Sequence, residues 1–254
     1  IEPRFDYQFW SAHFDSSVSP SPQGWLAQNS NSQVAAPVVL ASLVIVDSHH
    51  DAVFILLTEL KNQHYSHWTC TVAVFNTASG VTSEVSSKNN SDFKSSTTIS
   101  SSNLEQLILL SKQDPRIQIV VVDSVQDSKN NQTNAIFEQF ITQTNANYFC
   151  VLQPTMRLRP QAFDILLAKI HGTSNIDVVY SDIDAYLENG QRVEPQFKPD
   201  WNPELFYSSA LCPQVLHSLS TGLFVIKSQY ASSYLAKSSS RLLSSEFLLL
   251  SLLL

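Results

Sequence analysis

The sequence predicts an α/β protein built on a twisted, mainly parallel sheet flanked by helices. Three observations carry that prediction. Residues 38–46, VVLASLVIV, form an apolar run of strand length around a single serine, the pattern of a strand covered on both faces. Further strand-like runs alternate with helix-like segments at the spacing of right-handed βαβ units. Finally, 254 residues with 43% apolar content can bury one large core.

Local patterning orders the elements. Phe5, Phe9, Trp10 and Phe14 form a helical stripe, then Pro20, Pro22 and a Ser/Asn/Gln stretch follow, so residues 1–36 read as a helical lead-in to a main domain at 37–254. After the first strand, Val53, Leu56, Leu57 and Leu60 line one side of a helix over 51–62, and 68–75 is the second strand. Residues 82–102 hold 12 Ser or Thr among 21 positions, an insertion too polar to serve as core. A helix begins at 104–110, a strand follows at 117–122 and a helix at 134–141. Residues 148–152 are a strand, 160–170 a helix, and 177–180 a strand that closes the series. The leucine-rich run 242–254 is broken by Ser244, Ser245, Glu246 and Ser251 and is too short to span a bilayer. The chain stops inside that helix-like run, so the expectation is a piece of a longer polypeptide.

Composition narrows the function. Fifteen Lys and Arg against 22 Asp and Glu give a net charge of −7, which argues against a broad basic surface for nucleic acid or anionic lipid. Cys70, Cys150 and Cys212 lie far apart among apolar residues without a CxxC, so they read as buried thiols rather than zinc ligands or a disulfide framework. Only 5 glycines occur beside 38 serines, and neither GxGxxG nor GxxxxGK[ST] is present, which removes the common dinucleotide and P-loop binders. Where strands run parallel, a ligand site is expected beyond their carboxyl ends.

The densest chemical signal is residues 177–205, DVVYSDIDAYLENGQRVEPQFKPDWNPEL. A buried strand leads into Asp182 and Asp184, then an Asn189–Gly190 turn, then prolines beside Phe197 and Trp201 that read as a structured wall. Two residues apart, Asp182 and Asp184 could present oxygens on one side of an extended chain. They could equally cap turns at a solvated rim.

This segment resembles the stretch after the metal motif in bacterial family 2 glycosyltransferases that build O-antigen and capsular polysaccharide. LTELKNQHYSHWTCTVAVFN is similar to that family's first helix and second strand, DPRIQIVVVDS to its third strand, and NYFCVLQPTMRLRPQAFDILL to its fourth strand and following helix. FDYQFWSAHF resembles its lead-in helix. The likeness covers roughly residues 5–230, apart from the serine-rich insertion. It implies a GT-A, Rossmann-like fold with a nucleotide-sugar donor across the strand ends and an acceptor sugar opposite.

Sugar transfer from a nucleoside diphosphate needs charge stabilisation on the leaving group, usually by Mn²⁺ or Mg²⁺ on a carboxylate pair, and inversion needs a carboxylate base. The resemblance puts the metal-binding Asp-x-Asp at Gln153 and Thr155, which carry no charge. It puts Asp47 and His49 at the end of the first strand, where they could contact a ligand, and Glu246 near the position of the base. Arg157 and Arg159 could neutralise a diphosphate without metal, and alternation would point both the same way. Surface solvation is the ordinary role for each of these residues. His64 falls where the family has a packing residue, so no metal is assigned to the histidines.

Two functions follow. One is a degenerate transferase domain, lacking metal and cofactor, that docks to an active transferase module in the same polypeptide or to a partner. The other is a working, inverting, metal-independent sugar transferase; Mn²⁺ or Mg²⁺ with a nucleotide-sugar would enter only if the site functions. Both readings place the chain in the cytoplasm, at most peripheral to the inner face of the membrane, with no nucleic-acid partner.

Overall fold

The structure, a computed structural model, describes residues 6–12, 37–46, 50–76, 101–123, 129–173, 175–202, 204 and 222–230. Its centre is a six-stranded sheet. The predicted first four strands are present as β1 (Leu40–Val46), β2 (Trp68–Asn76), β3 (Ile117–Asp123) and β4 (Tyr148–Leu152), joined by α2 (His50–Lys61), α3 (Ser101–Gln113) and α4 (Lys129–Gln143), with α1 being the short helix Tyr7–Trp10. β1 pairs in parallel with β2 on one side and β4 on the other, and β2 pairs in parallel with β3. Helix α3 starts at Ser101, so the last two residues of the predicted insertion are helical.

The order departs from the expectation beyond β4. A strand not read from the sequence, β8 (Phe224–Lys227), lies between β4 and β5 (Val178–Tyr180) and runs antiparallel to both. After β5 a separate hairpin is formed by β6 (Ile183–Tyr186) and β7 (Arg192–Gln196). Helix α5 spans Ala162–Gly172.

Two cores sandwich the sheet. On one face Leu40, Val44 and Val46 pack with Leu56 and Leu60 of α2, Leu107 of α3 and Phe163 and Leu167 of α5. On the other, Ala41, Leu43 and Phe149 pack with Ile136, Phe137 and Phe140 of α4. For α2, α3 and α4 that distribution follows from handedness, whereas α5 covers the α2–α3 face. The chain steps outward from β1 to β3, then returns across β1 to β4, and right-handed crossovers in opposite directions put their helices on opposite faces. Cys70 and Cys150, both buried, flank Ser42 in register across three strands, and burial pushes the Cys70 thiol up to about 12. Among the described residues, no helix is long and apolar enough to cross a membrane.

The base of the sheet is fastened by polar contacts. Arg116 lies 4.0 Å over the Trp68 ring, and its Nη2 donates to Asp114 Oδ2 at 2.8 Å. These hydrogen bonds hold the Asp114 carboxyl below the usual carboxylate range. Asp114→Ala is expected to cost about 1–3 kcal/mol, because it strands a charged donor at a largely buried site. The depressed group stabilises the fold above its unfolded value and loses that contribution as pH falls through its folded value. Denaturant midpoints should therefore separate wild type from variant at neutral pH and converge in strong acid.

Candidate functional site

The order β3-β2-β1-β4 places a topological switch between β1 and β4, where chain direction across the sheet reverses. Helices α2 and α5, which follow β1 and β4, cover the same face of the sheet, and a ligand crevice is expected beyond the carboxyl ends of the two strands. Register fixes its floor: Val44 stands opposite Leu152, so β4 ends two residues before β1 does. Gln153, Pro154 and Thr155 leave β4 at this point. Met156 N–H donates to Gln153 O at 3.0 Å and closes the turn, while Met156 and Leu158 anchor it on the core. Gln153 and Thr155 are exposed.

This tip does not fit the divalent cation that the resemblance implies. Hard cations take oxygen ligands and favour carboxylates, whose charge offsets the cost of dehydrating the ion. Gln153 and Thr155 offer a neutral amide oxygen and a hydroxyl. Among the described residues, no group of three or more His, Cys, Asp and Glu is placed to hold a metal ion.

The two arginines after the tip have separate partners. Arg157 Nε donates to Glu59 Oε1 at 2.5 Å and its guanidinium lies 5.6 Å from the Tyr186 ring centre. Glu59 Oε2 also accepts from Leu158 N–H at 2.6 Å, so one carboxylate of α2 pins this loop. Arg159 turns toward Gln161, whose amide, oriented with its oxygen inward, accepts from Nη2 at 2.8 Å. The Arg159 carbonyl accepts from Gln63 Nε2 at 2.7 Å. The arginines are thus tied into different contacts.

Asp182 and Asp184 also diverge. Asp182 Oδ1 accepts the Lys198 backbone N–H at 2.7 Å, closing the chain on itself after the hairpin. Asp184 Oδ2 accepts from Arg192 Nε across β6–β7 and from the Tyr7 hydroxyl. The hairpin turns at Asn189–Gly190, where Gly190 has φ of +80° and Gln191 N–H donates to Asn189 Oδ1 at 2.9 Å. Helix α1 docks onto this hairpin. Tyr7 stacks on Trp10 at 5.8 Å, and Trp10 meets Phe197 edge-on at 5.4 Å. The lead-in helix thus packs against the wall formed by the hairpin and Phe197.

Asp47, His49 and Glu246 lie outside the described residues. In the chain, Asp47 and His49 follow directly on β1.

Lys198 was missed by the sequence reading. Its Nζ donates to Ser181 O at 2.5 Å and lies 5.2 Å from the Phe224 ring centre. Gly222, beside the ammonium, has φ of +101°, a backbone conformation that favours glycine. A lone lysine beside a proline carries no local signal of this burial.

No protein-family model matches the chain. A curated relative, the uncharacterised protein y4gI of Sinorhizobium fredii (strain NBRC 101917 / NGR234), is 28% identical over 95 residues, which is 37% of this chain and 10% of the relative. Among solved structures, S. aureus TarS 1–349 superposes with a TM-score of 0.49 at 12% identity, covering 84% of this chain and 54% of its own. The mannosyltransferase PcManGT from Pyrobaculum calidifontis, in complex with GDP-Man and Mn²⁺, gives 0.42 at 12% identity, covering 91% and 56%. The chain thus spans a tenth of the curated relative and little more than half of either solved structure.

Burial lowers the Lys198 amine from an ordinary 10.5 to about 8, against an opposing pull from Asp182. Between those values the unfolded chain binds more protons than the folded one, so stability rises with pH across the interval. Lys198→Met lacks this group. Wild-type Tm is expected to gain on the variant from pH 8 to pH 10.5, measured by differential scanning calorimetry.

Proposed function

We propose that this chain is a family 2-like, GT-A-type glycosyltransferase domain whose metal and nucleotide-sugar corner has been lost, and that it serves as a structural module. The observation that carries the reading is the uncharged tip Gln153–Pro154–Thr155, standing at the sheet's switch point. A leaving diphosphate carries concentrated negative charge, and neither side chain supplies a positive or metal-borne counter-charge. The Arg157 guanidinium, one candidate substitute, is already paired with Glu59.

In this reading the domain works beside an active sugar-transferring module, in the same polypeptide or in a partner. The setting is cell-surface polysaccharide synthesis at the inner face of the membrane. Asp47, His49, Arg159 and Glu246 would be remnants of the donor and base positions. A second reading, an inverting metal-independent transferase, is favoured by the well-built wall of β6, β7 and Phe197, which an inactive domain would not need for catalysis.

Calorimetric titration of UDP-, GDP- and dTDP-sugars, with and without Mn²⁺, separates the two readings. The structural-module reading expects no binding heat from any donor. Micromolar, metal-dependent binding would overturn it, and micromolar metal-independent binding would establish the second reading.

A further inference from the structure

A groove of about 730 Å³ lies along β5, the outermost strand of the sheet, away from the crevice described above. Helix α5 forms one wall through Ile165, Leu166 and Lys169, and residues 198–201 form the other. Strand β8 separates β5 from β4, so the groove is offset by two strand spacings, about 10 Å, from the strand carrying the tip. Its lining runs from Ile176 to Asp182 along the strand, about 20 Å of extended chain.

The lining has a definite chemistry. Val178 and Val179 of β5 contribute aliphatic lining. Trp201 lines one side and is 47% exposed, a large apolar surface left in contact with solvent. Around it stand two ammonium groups, Lys169 and Lys198, and two carboxylates, Asp182 and Asp200. Those charges sum to zero. A nucleoside diphosphate or any other polyanion would call for a positive excess, and a basic peptide for a negative one. A sugar chain matches better: its rings present C–H faces to an indole, whose face carries negative quadrupole density, and its hydroxyls both donate and accept. The segment is also built to stay open. Pro199 fixes the backbone beside Trp201, Tyr180 OH donates to Pro199 O at 2.7 Å, and Asp182 holds the Lys198 N–H.

We infer that this groove is a binding site for a neutral oligosaccharide, separate from the strand-end crevice and independent of transfer chemistry. Trp201 is its apolar platform, and Lys169, Asp182 and Asp200 supply polar contacts to hydroxyls. The inference rests on the groove's own lining and goes beyond the loss of catalysis proposed above. It gives residues 177–202 a use that survives that loss.

The test applies the full chain to an array of neutral oligosaccharides, with heparin and polyphosphate as polyanionic controls. Binding to neutral glycans is expected, with heparin and polyphosphate unbound. Trp201→Ala should weaken it roughly tenfold, the effect of removing an aromatic anchor, whereas Trp201→Phe should retain most of it. Because Trp201→Ala can disturb folding, the bound glycan should also shift the Trp201 indole and Lys169 resonances of the wild-type protein. Failure of every neutral glycan to bind, binding to polyanions alone, or binding indifferent to Trp201→Ala in a folded variant would each overturn the inference. Nucleotide-sugar binding that persists in Trp201→Ala would count against the structural-module reading and leave the groove untouched.

Discussion

Strand β1 is hydrogen-bonded on both sides and lies between two buried faces, and the rest of the molecule is arranged around that constraint. Its neighbours run parallel to it, so each must be reached by a crossover, and right-handed crossovers fix which faces α2, α3 and α4 cover. The same constraint brings the ends of β1 and β4 together as the walls of a crevice. A ligand's chemistry there depends on which side chains the chain supplies as it leaves each strand. At β4 it supplies Gln153 and Thr155, a tip that can donate and accept hydrogen bonds but offers no fixed charge.

Several charges near that crevice are balanced within the protein. Arg157 is held by Glu59, and Asp184 by Arg192 and Tyr7. Arg157 and Asp184 stabilise the loop and hairpin they join, and committing either to a ligand would require breaking a short-range pair. An active transferase needs the opposite arrangement, with charge left available for a diphosphate or an acceptor hydroxyl. The wall behind the crevice is nonetheless well made, with Tyr7 and Trp10 of α1 edge-on to Phe197 and the hairpin closed by Asn189–Gly190.

How much of this was legible in the sequence depends on the range of each interaction. β1 and β4 could be read because strands buried on both faces are apolar along their whole length. The place of Gln153 and Thr155 at the metal-motif positions came from the family resemblance laid over that run. β8 could not be read. It is four residues long, FVIK, and becomes a strand through partners Tyr148–Phe149 and Val178–Tyr180, far from it in the chain. The divergence of Arg157 and Arg159 was equally hidden, because alternation assumes an extended chain and Glu59, which captures Arg157, lies 98 residues away. Asp182 accepts the Lys198 N–H and Asp184 pairs with Arg192, partners 16 and 8 positions away that the spacing of the two aspartates does not announce. The burial of Lys198 depends on Gly222 and Phe224, contacts that no local pattern announces.

Loss of the metal site means that no divalent ion settles at the end of β4. Paramagnetic broadening gives the most direct reading: Mn²⁺ is added to ¹⁵N-labelled protein in the presence of a nucleoside diphosphate, and amide signals are followed residue by residue. With no ion held at the tip, the Thr155 and Met156 signals are expected to show no preferential loss relative to the rest of the sheet. Selective broadening centred on those two amides, saturating at one equivalent of metal, would contradict the loss of the metal site.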